Sequence, residues 1–236
     1  MNANRIFKDN LYEQVARIGK AFSSPKRLEL LEMLAQSEKT VEQLAAELAI
    51  DVKLTSAHLR ALKEARLVES RRDGKFMIYR LSGSDVAQLG VTLREVAESH
   101  LLELRLAVEQ MMAHPDSLAK VGRADLLAQV RRGEVIVIDV RPQSEYDTAH
   151  LPGARSLPLA ELERRLAELP KDARIVAYCR GPFCLLSDAA VKLLAERGYR
   201  AQKIFDGVTE WQAAGLPVER SATVAIRPPF VRQNGQ

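Results

Sequence analysis

Residues Thr40 to Leu81 read TVEQLAAELAIDVKLTSAHLRALKEARLVESRRDGKFMIYRL. Thr40 followed by Gln43 ahead of an apolar-periodic run is a capping-box pattern, in which the two side chains satisfy backbone N–H groups at a helix start. A helix is expected from Val41 to Leu48 and, after Ala49-Ile50-Asp51, another from about Val52 to Ala65. Leu67 to Arg72 and Lys75 to Leu81 alternate in polarity around Asp73-Gly74, the signal of a β-hairpin. The segment is also unusually basic. Between Lys53 and Arg80, eight cations (Lys53, Arg60, Lys63, Arg66, Arg71, Arg72, Lys75, Arg80) face three anions (Glu64, Glu69, Asp73), a local balance of +5 against +4 for the whole chain.

Upstream, apolar residues recur at helical spacing from Leu11 to Ala21 and from Pro25 to Ala35, with Ser24 as N-cap and Pro25 at the first helical position. Downstream, no proline intervenes from Asp85 to Ala113. Val86, Leu89, Leu93, Val96, His100, Leu104, Ala107 and Met111 recur there at spacings of three and four, predicting one long helix with a dimerisation seam. Beyond Pro115 the rhythm changes. Helices are expected around Arg123 to Arg131, Leu159 to Ala167 and Leu185 to Arg197, alternating with strands Val135 to Val140, Arg174 to Tyr178 and Ala201 to Ile204. Gly198 is expected to close the last helix in a left-handed conformation. That alternation predicts a parallel sheet covered by helices.

The chain of 236 residues, 47% apolar and 28% charged, can build packed cores and is no disordered, collagenous or disulfide-scaffold protein. Two domains are expected: 1–113, mainly α, and 119–220, α/β, joined by a linker at 114–118 and followed by a poorly ordered tail at 221–236. The most apolar run, Val135 to Ile138, falls far short of the ~20 residues of a membrane span. No export signal precedes the first helix, so a cytoplasmic location is expected.

Helix, turn, helix and basic hairpin together resemble a winged helix-turn-helix, in which the second helix enters the major groove and the hairpin follows the backbone. Residues Leu11 to Leu81 resemble the ArsR family of transcriptional repressors through Ala21 to Leu28, Thr40 to Ala45, Ser56 to Leu62 and the hairpin. The resemblance implies a homodimer on double-stranded DNA. Lys53, Thr55, Ser56 and Arg60 become candidates for base or phosphate contacts, and Arg71, Arg72 and Lys75 for phosphate contacts. His58 reads as a packing or backbone-contacting histidine. Two departures stand out: Ala57 replaces a residue that is often Gln or Arg, and Arg66 replaces a usual Gly, where a left-handed turn costs about 1 kcal/mol. Family metal sites are not carried over. Val41 to Ala45 hold no thiol, and the places of a second site hold Glu98, His100, Met111 and His114, of which methionine is a poor zinc ligand. Neither a metal nor a cofactor is expected.

Both cysteines lie in Cys179-Arg180-Gly181-Pro182-Phe183-Cys184, between a strand and a helix. A thiol there can meet loop N–H groups and the positive end of a helix, both of which favour thiolate; the bland alternative is a buried core cysteine. Pro115 to Arg220 resembles the rhodanese domain through Asp139-Val140-Arg141, Glu145-Tyr146, His150 to Ala154, Tyr178-Cys179-Arg180 and Asp206-Gly207 with Trp211. This implies that Cys179 accepts sulfur, with Cys184 and Arg180 as the further candidate catalytic residues and Gly181, Pro182 and Phe183 forming the loop, and that Asp139, Arg141, His150 and Trp211 are structural. Pro182 and Cys184 stand where such loops often carry Gly and a basic residue, which argues against efficient thiosulfate turnover. Leu185 stands where a related phosphatase loop ends in Arg, which argues against phosphate-ester hydrolysis. Cys184 can instead attack a modified Cys179. Three readings follow: a repressor whose rhodanese domain senses sulfane sulfur or another small thiol-reactive effector, a sulfurtransferase with an accessory helical domain, and a regulator with an arsenate-reductase-like oxyanion domain.

Overall fold

The computed structural model describes residues 3–111 and 117–221. The expected linker around His114-Pro115 and the tail after Ser221 lie outside them. Two compact units divide the described chain, one ending at Gly90 and one beginning at Val91.

In the first unit, helices α1 (Ala3–Phe22), α2 (Pro25–Gln36), α3 (Val41–Glu47) and α4 (Val52–Glu64) are joined by a sheet of β1 (Lys39–Thr40), β2 (Val68–Asp73) and β3 (Phe76–Leu81). The sheet is antiparallel in the order β1-β3-β2. Local chemistry sets the helix starts. The Thr40 hydroxyl accepts from the Gln43 N–H, while the Gln43 amide oxygen accepts from the Thr40 N–H at 2.8 Å. Asp51 caps α4 by accepting from the N–H groups of Lys53 and Leu54. Ser24 occupies the N-cap of α2 with Pro25 behind it, but its side chain makes no capping bond. The hairpin turns one residue later than expected: Asp73 pairs with Phe76, leaving Gly74-Lys75 as the two central residues. Only Gly74 of these has positive φ, +59°, as a turn with glycine in first place requires. Arg66 adopts a left-handed φ of 61°, so the strain expected at that position is present. Leu30, Leu44, Leu59 and Leu62, all fully buried, form the middle of this unit's core.

The long helix expected from Asp85 is interrupted. It forms α5 (Ser84–His100), which crosses from the first unit into the second, and α6 (Leu102–Met111), parted at Leu101. The second unit continues with α7 (Arg123–Arg131), β4 (Ile136–Asp139), α8 (Gln143–Thr148), β5 (Arg155–Ser156), α9 (Leu159–Leu162), β6 (Arg174–Tyr178), α10 (Leu186–Glu196), β7 (Arg200–Lys203) and α11 (Val208–Ala213). Its four strands are parallel, in the order β5-β4-β6-β7. The expected helix from Leu159 to Ala167 is only one short α-helical piece and a 3₁₀ turn, Leu166–Glu168.

Strand β6 is buried on both faces, and its side chains alternate between two cores. Val176 and Tyr178 join one core with Trp211, whereas Ile175, Ala177 and Cys179 join the other with Ala190, Val191 and Leu194 of α10. The period of two along a strand therefore directs the Cys179 side chain toward α10.

Candidate functional site

Cys179 follows the last residue of β6 and is 2% exposed. Its Sγ lies 3.3 Å from the Ser187 hydroxyl oxygen and 3.3 Å from the Cys184 carbonyl oxygen. Donors converge on the sulfur: the Cys184 thiol, then the Ser187 hydroxyl, then the backbone N–H groups of Ser187 and Gly181. Together they outweigh burial and push the Cys179 thiol down to about 6. The same contact pushes the Cys184 thiol up, aided by burial. Of the two thiols, Cys179 is therefore the one biased toward thiolate. No disulfide joins them.

The loop is anchored at both ends. Before it, the buried Tyr178 hydroxyl donates to Asp139 Oδ2 at 2.5 Å and accepts from the Leu151 N–H, while Asp139 is paired with the fully buried Arg141. After it, Ser187 in the first turn of α10 is buried. Gly207 supports it from below: a Cβ there would lie 2.4 Å from the Arg180 carbonyl oxygen and 2.8 Å from that of Cys179. The Glu210 carboxylate accepts from the Gly207 N–H at 2.8 Å, and a Cβ at Gly181 would meet both carboxylate oxygens at 3.1 Å.

The other expected loop residues divide. Gly181 is buried; Pro182 and Cys184 are half-buried; Phe183 and its neighbour Leu185 are exposed. The Arg180 guanidinium binds buried Glu145 through two nitrogens, Nε to Oε2 at 2.9 Å and a terminal nitrogen to Oε1 at 2.6 Å. Its charge is committed to that pair. Reading the sequence missed Ser187, eight positions after Cys179, and Glu145, which first meets Arg180 in the folded sheet. His150 and Trp211 are buried; His150 stacks on Tyr146 with its Nδ1 2.8 Å from the Tyr146 carbonyl oxygen.

On the first unit, Lys53, Ala57 and Arg60 are exposed on one face of α4. Thr55 corrects the expected set: it is 0% exposed and its hydroxyl donates to the Asp51 carbonyl, so it packs inward rather than standing on the exposed face. Ser56 is half-buried and donates to the Val52 carbonyl at 2.8 Å. On the hairpin, Arg72 and Lys75 are exposed near the turn. Arg71 is half-buried and bridges Glu38 at 3.0 Å and Asp73 at 3.2 Å, a structural pairing rather than a cation held out to solvent.

Among the described residues, no group of three or more His, Cys, Asp or Glu side chains could hold a metal ion, and His114 lies outside them. Nor is any helix there long and apolar enough to cross a membrane.

Comparison with known proteins accords with this two-part architecture. Residues 24–70 match the arsR family of bacterial regulatory proteins, and residues 123–214 match the rhodanese-like domain. The chain is 43% identical over 217 residues to the HTH-type transcriptional regulator Rv0324 of Mycobacterium tuberculosis, covering 92% of this chain and 95% of the relative. A sulfurtransferase of Allochromatium vinosum is 33% identical over 86 residues, covering 36% of this chain and 78% of that protein. The homodimeric DNA-binding domain of a possible ArsR-family regulator of Mycobacterium bovis aligns at 44% identity and a TM-score of 0.38, covering 41% of this chain and 89% of that fragment. The winged helix-turn-helix, the parallel sheet with its cysteine loop and a relative matched over nearly its whole length lead to one assignment: the chain belongs to the arsR family of bacterial regulatory proteins and is an ArsR-type transcriptional regulator carrying a rhodanese-like domain.

Proposed function

We propose that this regulator is a homodimeric repressor whose rhodanese-like domain is its sensor, with Cys179 taking up sulfane sulfur and Cys184 resolving the product. The observation that carries this reading is a second thiol in the same loop, its backbone carbonyl oxygen 3.3 Å from the Cys179 sulfur, whose side chain pulls the Cys179 thiol down while its own is pushed up. Attack by Cys179 on the terminal sulfur of an organic persulfide forms a Cys179 persulfide; the donor's S–S bond breaks and its electron pair leaves on a thiolate. Cys184, no longer hydrogen-bonded to a thiolate, then attacks the Cys179 sulfur. A Cys179–Cys184 disulfide forms, and the transferred sulfur leaves as sulfide, carrying the proton of Cys184. A bridge that keeps the sulfur needs a second equivalent of donor.

On the DNA side, Lys53 and Arg60 of α4 and Arg72 and Lys75 of the hairpin are exposed cations that could meet phosphates and base edges. Exposed apolar residues support dimerisation: Leu89, Leu93 and Val96 on α5, and Phe7, Leu11 and Val15 at four-residue spacing on α1. The sulfurtransferase reading draws on the likeness to the Allochromatium protein, and both it and an oxyanion reductase would need a cation for an anionic donor. Arg180, the loop's own cation, is bound to Glu145.

The test is mass spectrometry of the full chain after exposure to an organic persulfide, paired with fluorescence anisotropy on the promoter nearest its coding region. One added sulfur at Cys179, then a disulfide, with changed DNA affinity, is expected. Thiosulfate turnover with DNA affinity untouched would replace the sensor by the enzyme.

A further inference from the structure

One contact in the second unit joins parts of the chain far apart in sequence. A terminal nitrogen of Arg94, on α5, donates to Glu210 Oε1 at 2.7 Å, and both side chains are largely buried, at 17% and 5% exposure. Arg94 Nε lies 3.4 Å from Glu98 Oε1, and its guanidinium carbon sits 5.9 Å from the centre of the Phe183 ring. Arg94 therefore touches the sulfur loop directly at Phe183 and from beneath through Glu210.

Glu210 is the carboxylate that accepts from the Gly207 N–H and packs on Gly181. Gly207 in turn carries the backbone of Cys179 and Arg180, and the Gly181 N–H is one of the donors to the Cys179 sulfur. A carboxylate this buried stays ionised only when paired. Without Arg94, the Glu210 carboxylate would lose its buried charge partner and could reorient, and its hold on both glycines would change. None of the motifs that mark the family resemblance contains Arg94 or Glu210.

We infer that Arg94 of α5, acting through Glu210, is a positioning residue of the sulfur loop, so that the sulfur chemistry of Cys179 and the setting of α5 are coupled. Coupling of this kind is reciprocal: if the place of Arg94 alters the loop, a change in the loop alters the place of Arg94. Helix α5 begins in the DNA-binding unit at Ser84 and carries Arg94 ten residues on, so the regulation of the proposed sensor runs through this helix. The groups acting on the sulfur are Cys184 and the Gly181 N–H from the loop and Ser187 from α10; the charged pairs that hold the loop are Glu210 with Arg94 and Arg180 with Glu145.

This inference rests on the sensor reading only for its regulatory half, and the test separates the two. Cys179 in the full chain is alkylated with iodoacetamide across the pH range, followed by mass spectrometry, for the parent, Arg94→Ala, Arg94→Lys and Glu210→Gln proteins. DNA affinity is measured before and after treatment with an organic persulfide. Arg94→Ala should move the midpoint of the alkylation profile upward. A shift of one unit would slow the reaction about fivefold at pH 6 and leave it unchanged well above pH 8. Arg94→Lys should restore part of the rate, and the persulfide-induced change in DNA affinity should shrink in Arg94→Ala. Glu210→Gln, which keeps an acceptor for Gly207 but loses the charge, should behave like Arg94→Ala. An Arg94→Ala protein with the parent's profile and the parent's DNA response overturns the inference. A shifted profile in a protein whose DNA affinity never responds to persulfide upholds the positioning role and removes the sensor reading instead.

Discussion

Replacing Gly207 by alanine tests how the sulfur loop is held. The added Cβ would lie 2.4 Å from the Arg180 carbonyl oxygen, 2.5 Å from its carbonyl carbon and 2.8 Å from the Cys179 carbonyl oxygen. All three are backbone atoms, so no side chain can rotate away. Reaching the 3.0–3.4 Å of a tight but real contact means a retreat of roughly 0.6–1.0 Å by the strand end or by the start of α11. Where the strand end yields, the movement falls on Cys179, and its sulfur contacts of 3.3 Å are stretched to or past the edge of hydrogen-bonding range. Overpacking of this kind costs about 1–3 kcal/mol, less than the roughly 5–15 kcal/mol that keeps a domain folded. The Gly207→Ala chain should therefore fold with a lowered unfolding midpoint and a less acidic Cys179. Raising that thiol by about two units lowers its thiolate at pH 7 about tenfold. The assay is iodoacetamide alkylation of Cys179 by mass spectrometry, with circular dichroism for folding. A Gly207→Ala chain that alkylates at the parent's rate and pH profile would refute the claim that the loop rests on Gly207.

Ser187→Ala removes a donor to the Cys179 thiolate, and a hydrogen bond to a charged group contributes about 1.5–3 kcal/mol, or about one to two pH units. Because donors favour the thiolate, the alkylation midpoint should rise from about 6, with slower reaction on the acid side only; an unmoved midpoint removes Ser187 from the site. Arg72→Ala with Lys75→Ala should flatten the dependence of log DNA affinity on log salt by about 0.9 per lost phosphate contact, and an unchanged slope places the wing off the backbone. Leu93→Glu with Leu104→Glu should give monomers in analytical ultracentrifugation and weaken DNA binding. A dimer surviving both moves the interface to the apolar stripe of α1.

What could be read from the sequence was set by local chemistry. The Thr40–Gln43 capping box, the start of α2 at Pro25 and the left-handed positions of Gly198 and Arg66 each depend on a few neighbouring residues. Cys179 was legible as a candidate nucleophile because a strand and a helix flank it. Strand β1 was not: it is two residues long and exists only by pairing with Ile78 and Tyr79. Helices α8 and α11, six residues each, are too short to show a period. Thr55 was misjudged because a helical repeat marks a face only loosely, and an inward threonine resembles an outward one until its neighbours are known. Ser187, Glu145 and Glu210 come to the site through tertiary closure, which no spacing along the chain encodes.

The 2% exposure of Cys179 also sets a clock. A thiolate so enclosed reacts only while the loop is lifted from it, so its observed rate is the intrinsic rate multiplied by the open fraction. Every 1.4 kcal/mol or so of opening cost slows the response about tenfold, whatever the donor. Opening also admits reagents by size. A small sulfur compound can enter through a brief, narrow excursion, whereas a bulky disulfide needs a wider and rarer one. In the proposed sensor, the contacts that pin the loop therefore set two things at once: how acidic the Cys179 thiol is and how often a reagent of a given size can reach it.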